Sequence, residues 1–308
     1  MTSRRRIPND LPPIFRVREG LDHGMSRNRL DAADLARPFH GIRMPRSHVA
    51  VLESRCHALA TVLRPEDALA GPTAARLWRM PLPRRLEDPA LLHVSTLLPT
   101  RALRRAGVVG TSRRSTATTM LRGLPVVEVW ETCRSLALMM SPVELTCVID
   151  FAVTGDRGRS PLSELAALES YVAAHEHHPG IVRLRRASAH ARVGSWSPRE
   201  TQLRLLVRGA GIPEPQLNVR LPLPDGRELI PDLAWPLFRV AAEYNGAHHN
   251  KVEQRIHDLR RIDDFTDIGW TTVNIEKTEL LQHPESVVIR VAQRLASRGW
   301  RPPRGLLR

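Results

Sequence analysis

Apolar positions along this chain recur first every three or four residues, then every second residue, and the change of period marks out its elements. The pattern is sharpest toward the C-terminus. Ser197-Pro198-Arg199-Glu200 sets a capping hydroxyl before a proline at the first helical position and a glutamate at the third. It predicts a helix running to about Arg208, ahead of Gly209. Residues 217–223 and 228–235 flank Asp225-Gly226, a dipeptide that favours a tight hairpin turn, and a third strand is expected over 238–244. Val252, Ile256, Leu259, Ile262, Phe265 and Ile268 then follow at helical spacing until Gly269 stops the helix. A fourth strand over 270–275 and a helix over 284–296 complete the order αβββαβα. The strand after the long helix can pair parallel to an earlier one through a crossover connection.

The front of the chain is less regular. Residues 25–35 predict a short helical piece that runs into an extended arm at 37–43, and 1–45 are expected to form a short helical or winged-helix-like segment. Between 46 and 182, helical patterns at 48–62, 74–78, 130–139, 142–152 and 162–174 alternate with short apolar runs at 91–95 and 124–127, so this region predicts a mixed α and β domain. Residues 183–196, rich in Arg, Ser, Ala and Gly, are expected to be a linker to a C-terminal domain at 197–308. The fold class expected for the whole is α+β or α/β.

Composition narrows the function. The chain has no apolar run long enough to span a membrane, and its basic start lacks the apolar stretch of a secretory signal, so a cytoplasmic location is expected. Cys56, Cys133 and Cys147 form no C-x-x-C pair, which argues against a disulfide framework and a structural zinc site. The net charge of +14 would attract a polyanion, although arginine supplies nearly all of it, a bias that GC-rich coding also produces. Residues 1–190 hold 28 Arg/Lys against 18 Asp/Glu, a net of +10, and residues 191–308 hold 18 against 14, a net of +4, so the front is the expected DNA footprint.

Three acids fall where chemistry could use them: Glu200 on the first C-terminal helix, Asp232 after Pro231, and Glu243 inside an apolar strand. Because strand side chains alternate, Glu243 and Asn245 share a face, and Asp232 on the hairpin-paired neighbour can point to it as well. Such a sparse oxygen set suits magnesium, which is held by one or two carboxylates plus waters and substrate phosphate. Each residue also has a simpler explanation. Glu200 completes a capping box, Asp232 can be a turn acid, Asn245-Gly246 is a good turn pair, and His248 and His249 follow a glycine turn where solvated histidines are common.

The residues from about Ser195 onward resemble the PD-(D/E)xK nuclease superfamily, and within it the bacterial domain family similar to the very-short-patch repair endonucleases. The matching segments are Ser197-Pro198-Arg199-Glu200-Thr201, Pro231-Asp232-Leu233-Ala234-Trp235-Pro236, Glu243-Tyr244-Asn245-Gly246-Ala247-His248-His249, Asp258 with Arg260-Arg261, and Gly269-Trp270. The resemblance implies a restriction-endonuclease-like domain, a mixed sheet flanked by helices. It also implies a site in which Asp232, Glu243 and Asn245 hold Mg2+ or Mn2+, Glu200 assists, and His249 serves the proton or the phosphate. The family strand usually reads Glu-Tyr-Asp-Gly-x-His-His; Asn245 stands where the second acid is expected and offers an oxygen without a charge. Upstream, Arg37-Pro38-Phe39-His40-Gly41-Ile42-Arg43, Thr73-Ala74-Ala75-Arg76-Leu77-Trp78 with Pro81-Leu82-Pro83, and Arg104-Arg105-Ala106-Gly107-Val108 resemble AbiEi-type antitoxins more loosely. Those are transcriptional regulators with a winged-helix element, and the resemblance implies that the first domain contacts DNA. Thr73 to Trp78 is equally explained as ordinary helix core. The expected activity is that of a metal-dependent DNA endonuclease; the alternative is a nuclease-fold DNA-binding regulator with impaired catalysis. The chain has no Gly-rich phosphate loop, nucleophile elbow or dinucleotide fingerprint that would favour another chemistry.

Overall fold

The segment expected as a linker is instead structured. In the computed structural model, Ile181, Leu184 and Ala187 are buried at helical spacing on a helix that runs Ile181–Ser188, with Ala191 buried just beyond it, so the Arg- and Ser-rich composition of this stretch is the wet face of an amphipathic element. The structure describes residues 7–114, 117–155, 158, 160–246 and 252–307, with the backbone alone over 252–259. It is a mixed α+β chain with several sheets, and among the described residues no helix is long and apolar enough to cross a membrane. It divides into two compact units, the residues up to Met139 with His177–Ile181, and Met140–Glu176 with the chain from Val182 on. The division therefore falls some forty residues before the expected linker.

The first unit opens with β1 (Phe15–Arg16), α1 (Val17–Asp22), α2 (Arg27–Leu30), β2 (Leu35–Ala36) and β3 (Ile42–Pro45), whose strands form a sheet in the order β1-β3-β2. Ser26 caps α2 by accepting the Arg29 N–H, and Leu11, Phe15, Met25, Leu30 and Leu35 make a small core beneath. Next come α3 (Leu52–Ala60), β4 (Asp67–Leu69), α4 (Gly71–Leu77), β5 (Leu92–Leu97), β6 (Val108–Arg113), β7 (Thr118–Leu121), β8 (Leu124–Val127) and α5 (Val129–Leu136). Their sheet has the order β6-β5-β4-β8-β7. Thr73, Ala74, Ala75 and Leu77 are buried on α4, as the core explanation of this segment requires.

The second unit begins with α6 (Pro142–Thr154) and α7 (Leu165–Ala174), and the helix from Ile181 is α8. Then follow α9 (Pro198–Gly209), β9 (Gln216–Leu217), β10 (Leu221–Pro222), β11 (Glu228–Leu229), β12 (Leu233–Trp235), β13 (Val240–Asn245), α10 (Val252–Asp267), β14 (Thr271–Glu276), α11 (Lys277–Gln282) and α12 (Pro284–Ala296). The four-stranded sheet runs β14-β13-β12-β9, with β12 antiparallel to β13 and β14 parallel to it across the α10 crossover. The expected long hairpin is broken into two. β9 pairs β12 in the main sheet, while β10 and β11 form a separate ribbon around Gly226. Pro231 has no N–H for a ladder, and Asn218 adopts a left-handed φ of 47°, so the chain leaves the sheet at both points.

A buried ion pair fastens α6 to α9. Asp150 Oδ2 accepts from Arg204 Nη2 and from Thr201 Oγ1, each at 2.8 Å, and Oδ1 accepts the Arg192 N–H at 2.8 Å. Arg204, itself fully buried, also donates to Glu214 at 3.2 Å. The cysteines are buried too. Desolvation pushes each thiol of Cys56, Cys133 and Cys147 up to about 12. A thiol-reactive dye at pH 8 is expected to label the folded protein negligibly and all three cysteines once denaturant unfolds it; rapid native labelling of any of them would contradict this burial. The raised thiols contribute stability below their unfolded pKa of roughly 8.5, and that stability falls away as pH rises toward the folded value.

Candidate active site

Strand alternation assigns the two faces of the four-stranded sheet. Leu233, Trp235, Val240, Ala242, Val273 and Ile275 pack with the Leu203 and Val207 side chains of α9 and the Val287 and Val291 side chains of α12. Ala234 and Ala241 point the other way, toward Phe265 of α10, Trp270 and the leucines of the β10–β11 ribbon. Asp232, Glu243, Asn245, Asn274 and Glu276 belong by alternation to this second face, at the end of β13 and β14 where the apolar packing stops.

One step past the pair Leu233↔Ala242, Asp232 stands beside Glu243, and its Oδ2 accepts the Tyr244 N–H at 2.8 Å. Glu243 is held from the helix side. Arg261 Nε donates to Glu243 Oε1 at 2.8 Å and to Oε2 at 3.1 Å, while its Nη2 donates to the Ile230 carbonyl at 2.9 Å. Arg261 also lies over the Phe265 ring, 5.5 Å from its centroid. The Glu243 carboxylate, in a largely buried side chain, is thus neutralised by a guanidinium that three groups hold in place. Across the parallel pair, Asn245 Nδ2 donates to Glu276 Oε1 at 3.4 Å, a long contact.

Glu200 is placed differently. Ser197 Oγ accepts the Glu200 N–H as the capping pattern predicts, but the Glu200 carboxylate reaches back one residue further, accepting from Trp196 N at 2.8 Å and from Asn218 Nδ2 at 2.9 Å. Asn218 in turn donates its own N–H to the Asp232 carbonyl at 3.3 Å. Asn218 therefore links Glu200 to the Asp232 backbone. The structure brings Asp232, Glu243 and Asn245 together on one face; His248 and His249 lie outside the described residues, as does the side chain of Asp258. Among the described residues no three His, Cys, Asp or Glu side chains group as metal ligands.

Three participants had no role in the sequence reading, although Arg261 stood in one of the matching segments. Arg261 could have been found from its stripe, because it shares the sheet-facing side of α10 with Phe265 and Ile268 at four- and seven-residue spacing. Glu276 needed the parallel register, which alone sets it opposite Asn245. Asn218 carried no signal beyond a turn residue.

No family model matches the chain, and no solved structure matches it. Two uncharacterized proteins of Mycobacterium tuberculosis, from strains CDC 1551 and H37Rv, are each 29% identical to it over 138 residues, which is 44% of this chain and 51% of theirs. The chain spans about half the length of these curated relatives. Their names state no activity, so the functional argument rests on the site.

Proposed function

We propose that the chain is a metal-dependent DNA endonuclease of the PD-(D/E)xK kind, similar to the very-short-patch repair endonucleases, in which a restriction-endonuclease-like second unit cuts and an arginine-rich first unit holds DNA. The observation that carries this reading is the placement of Asp232 beside Glu243 on adjoining antiparallel strands, with Asn245 two residues on and on the same face. The parallel pairing of β14 with β13 across α10, beside the antiparallel β12, supports the same reading.

The donor set consists of oxygens alone, which suits Mg2+ or Mn2+. Asp232 and Glu243 would hold the ion with their carboxylates and Asn245 with its amide oxygen. Such an ion, when bound, polarises the scissile phosphate and lowers the pKa of a bound water. Arg261 orients Glu243 and brings positive charge to the strand end where a phosphate would lie. Glu200 keeps Asn218, and through it the Asp232 backbone, in position. His249 is assigned the proton transfer to the leaving or attacking oxygen. Titration of Mg2+ into the protein with plasmid DNA should give cutting that saturates with the ion and stops with a chelator; cutting indifferent to the chelator would remove the ion from the reading.

DNA contact by the first unit is supported by exposed Arg18, Arg27, Asn28 and Arg46 on and around its short helices α1 and α2 and its β2–β3 pair. Arg27→Ala is expected to weaken DNA binding across sequences and to lower the slope of log affinity against log salt by about 1. An unaltered slope would exclude Arg27 from phosphate contact.

A second reading has its own support. Arg261 takes both Glu243 oxygens, and Asn245 lacks the charge that strengthens a metal bond. On that reading the chain is a DNA-binding regulator of antitoxin type without turnover. Binding to its own promoter with no cleavage under any divalent ion would favour it.

A further inference from the structure

We propose that a cleft within the first unit binds a small amphipathic carboxylate, an anionic head on an apolar body. Its floor follows from strand register. The parallel pairs His93↔Val109, Ser95↔Thr111 and Leu97↔Arg113 set His93, Ser95, Val109, Thr111 and Arg113 on one face of β5 and β6. Above that face opens a cleft of about 610 Å³, walled opposite by Glu131, Arg134 and Ser135 of α5 and by Leu138 and Met139. This volume lies within the roughly 300–1,000 Å³ range of small-molecule sites.

The walls dictate the class of ligand. Pro72, Leu98, Val109, Val127, Leu138 and Met139 supply an apolar lining. The charged groups are unbalanced. Glu131 is the one carboxylate among the lining residues, and Arg134 binds both its oxygens, with Nε donating to Oε2 at 3.2 Å and Nη2 donating to Oε1. Arg113, Arg114 and Arg134 together set three guanidiniums in the lining against that one carboxylate, which also acts electrostatically on Arg113. Arg113 is 6% exposed and is anchored by donating to the Glu66 carbonyl at 3.0 Å, so its charge is fixed in the wall. Ser95 is 5% exposed, lines the cleft, and its Oγ finds no hydrogen-bond partner among the described residues, although buried hydroxyls almost always have one. A bound carboxylate oxygen would accept that hydroxyl. Burial holds the His93 imidazole below its usual pKa, so at neutral pH it offers one donor and one acceptor and adds no charge. An apolar chamber with a surplus of positive charge and an unmatched hydroxyl selects an organic acid over an amine, and over an inorganic anion that could not use the walls.

The test is isothermal titration calorimetry on the full chain with decanoate, decylamine and inorganic phosphate. Saturable one-to-one binding of decanoate, with no comparable signal from the other two, is expected. Val109→Trp, which fills the cleft from a partly exposed position, should weaken decanoate at least tenfold, and exposed Arg114→Glu should weaken it several-fold, both with an unchanged circular dichroism spectrum. Arg113→Met adds a third arm if it folds. The proposal is overturned if decanoate does not bind, if decylamine or phosphate binds as well, or if the folded Val109→Trp protein binds decanoate like the parent.

Discussion

Asp232→Ala is expected to reduce metal-dependent DNA cleavage by at least about 100-fold, equivalent to about 2.7 kcal/mol of transition-state stabilisation. Asp232 holds two relations at once. It is the only described carboxylate beside Glu243 on the antiparallel neighbour, and it accepts the Tyr244 N–H that ends the β12–β13 pairing. Alanine would remove a proposed metal ligand and leave that N–H to water at the sheet end. Asp232→Asn separates the two, since it keeps an acceptor for Tyr244 while losing the charge. Initial rates of plasmid nicking against Mg2+ concentration should therefore be low for both variants. If Asp232→Asn cuts like the parent, the carboxylate serves the backbone alone and the metal site must lie elsewhere.

Breaking the pair between α6 and α9 should have the largest effect on stability. Asp150→Ala leaves Arg204 charged and fully buried with a single remaining carboxylate, Glu214, at 3.2 Å. Removal of one partner of a buried pair costs roughly 3–5 kcal/mol, a large share of the 5–15 kcal/mol that typically separates folded from unfolded domains. The loss should appear as a lower midpoint in urea, followed by tryptophan fluorescence. Exposed Arg220→Ala, which loses only a surface contact with Glu228, should shift the midpoint little. The double variant Asp150→Leu/Arg204→Met replaces both charges with apolar groups and should recover much of the loss. An Asp150→Ala midpoint equal to that of the parent would show that the pair contributes nothing to the fold.

Much of the second unit could be read from its residues. Helix α12 was bounded correctly by Pro284 and Ala296, and α10 by the apolar spacing that ends before Gly269, where φ is +75°. The parallel pairing of β14 with β13 followed from the crossover helix. What the residues concealed was tertiary in origin. The linker reading failed at α8 because an arginine-rich amphipathic helix has the composition of a solvated tether, and only the spacing of Ile181, Leu184 and Ala187 distinguishes it. α11 went unseen because it follows β14 without a break, with Glu276 serving as its N-cap.

The candidate site was legible in the same proportion. Alternation along β13 and its pairing with the neighbouring strand were enough to join Asp232, Glu243 and Asn245. The clasp of Arg261 on Glu243 was not, because it depends on where the crossover helix lands on the sheet. Nor was the fate of the Glu200 carboxylate. A capping sequence predicts that it turns back on the chain, but not that Asn218, in its left-handed conformation, brings a second donor to it.

The central claim, that Asp232, Glu243 and Asn245 form a metal-dependent cutting site, is tested most directly by one cleavage assay. Plasmid, single-stranded and mismatched DNA would be incubated with Mg2+ or Mn2+ and the parent protein, Glu243→Ala or Asn245→Asp. The account predicts ion-dependent cutting by the parent, none by Glu243→Ala, and cutting by Asn245→Asp at least as fast as by the parent, because the added charge strengthens the metal bond. Cutting retained by Glu243→Ala, or no cutting by either the parent or Asn245→Asp with any ion, would contradict it.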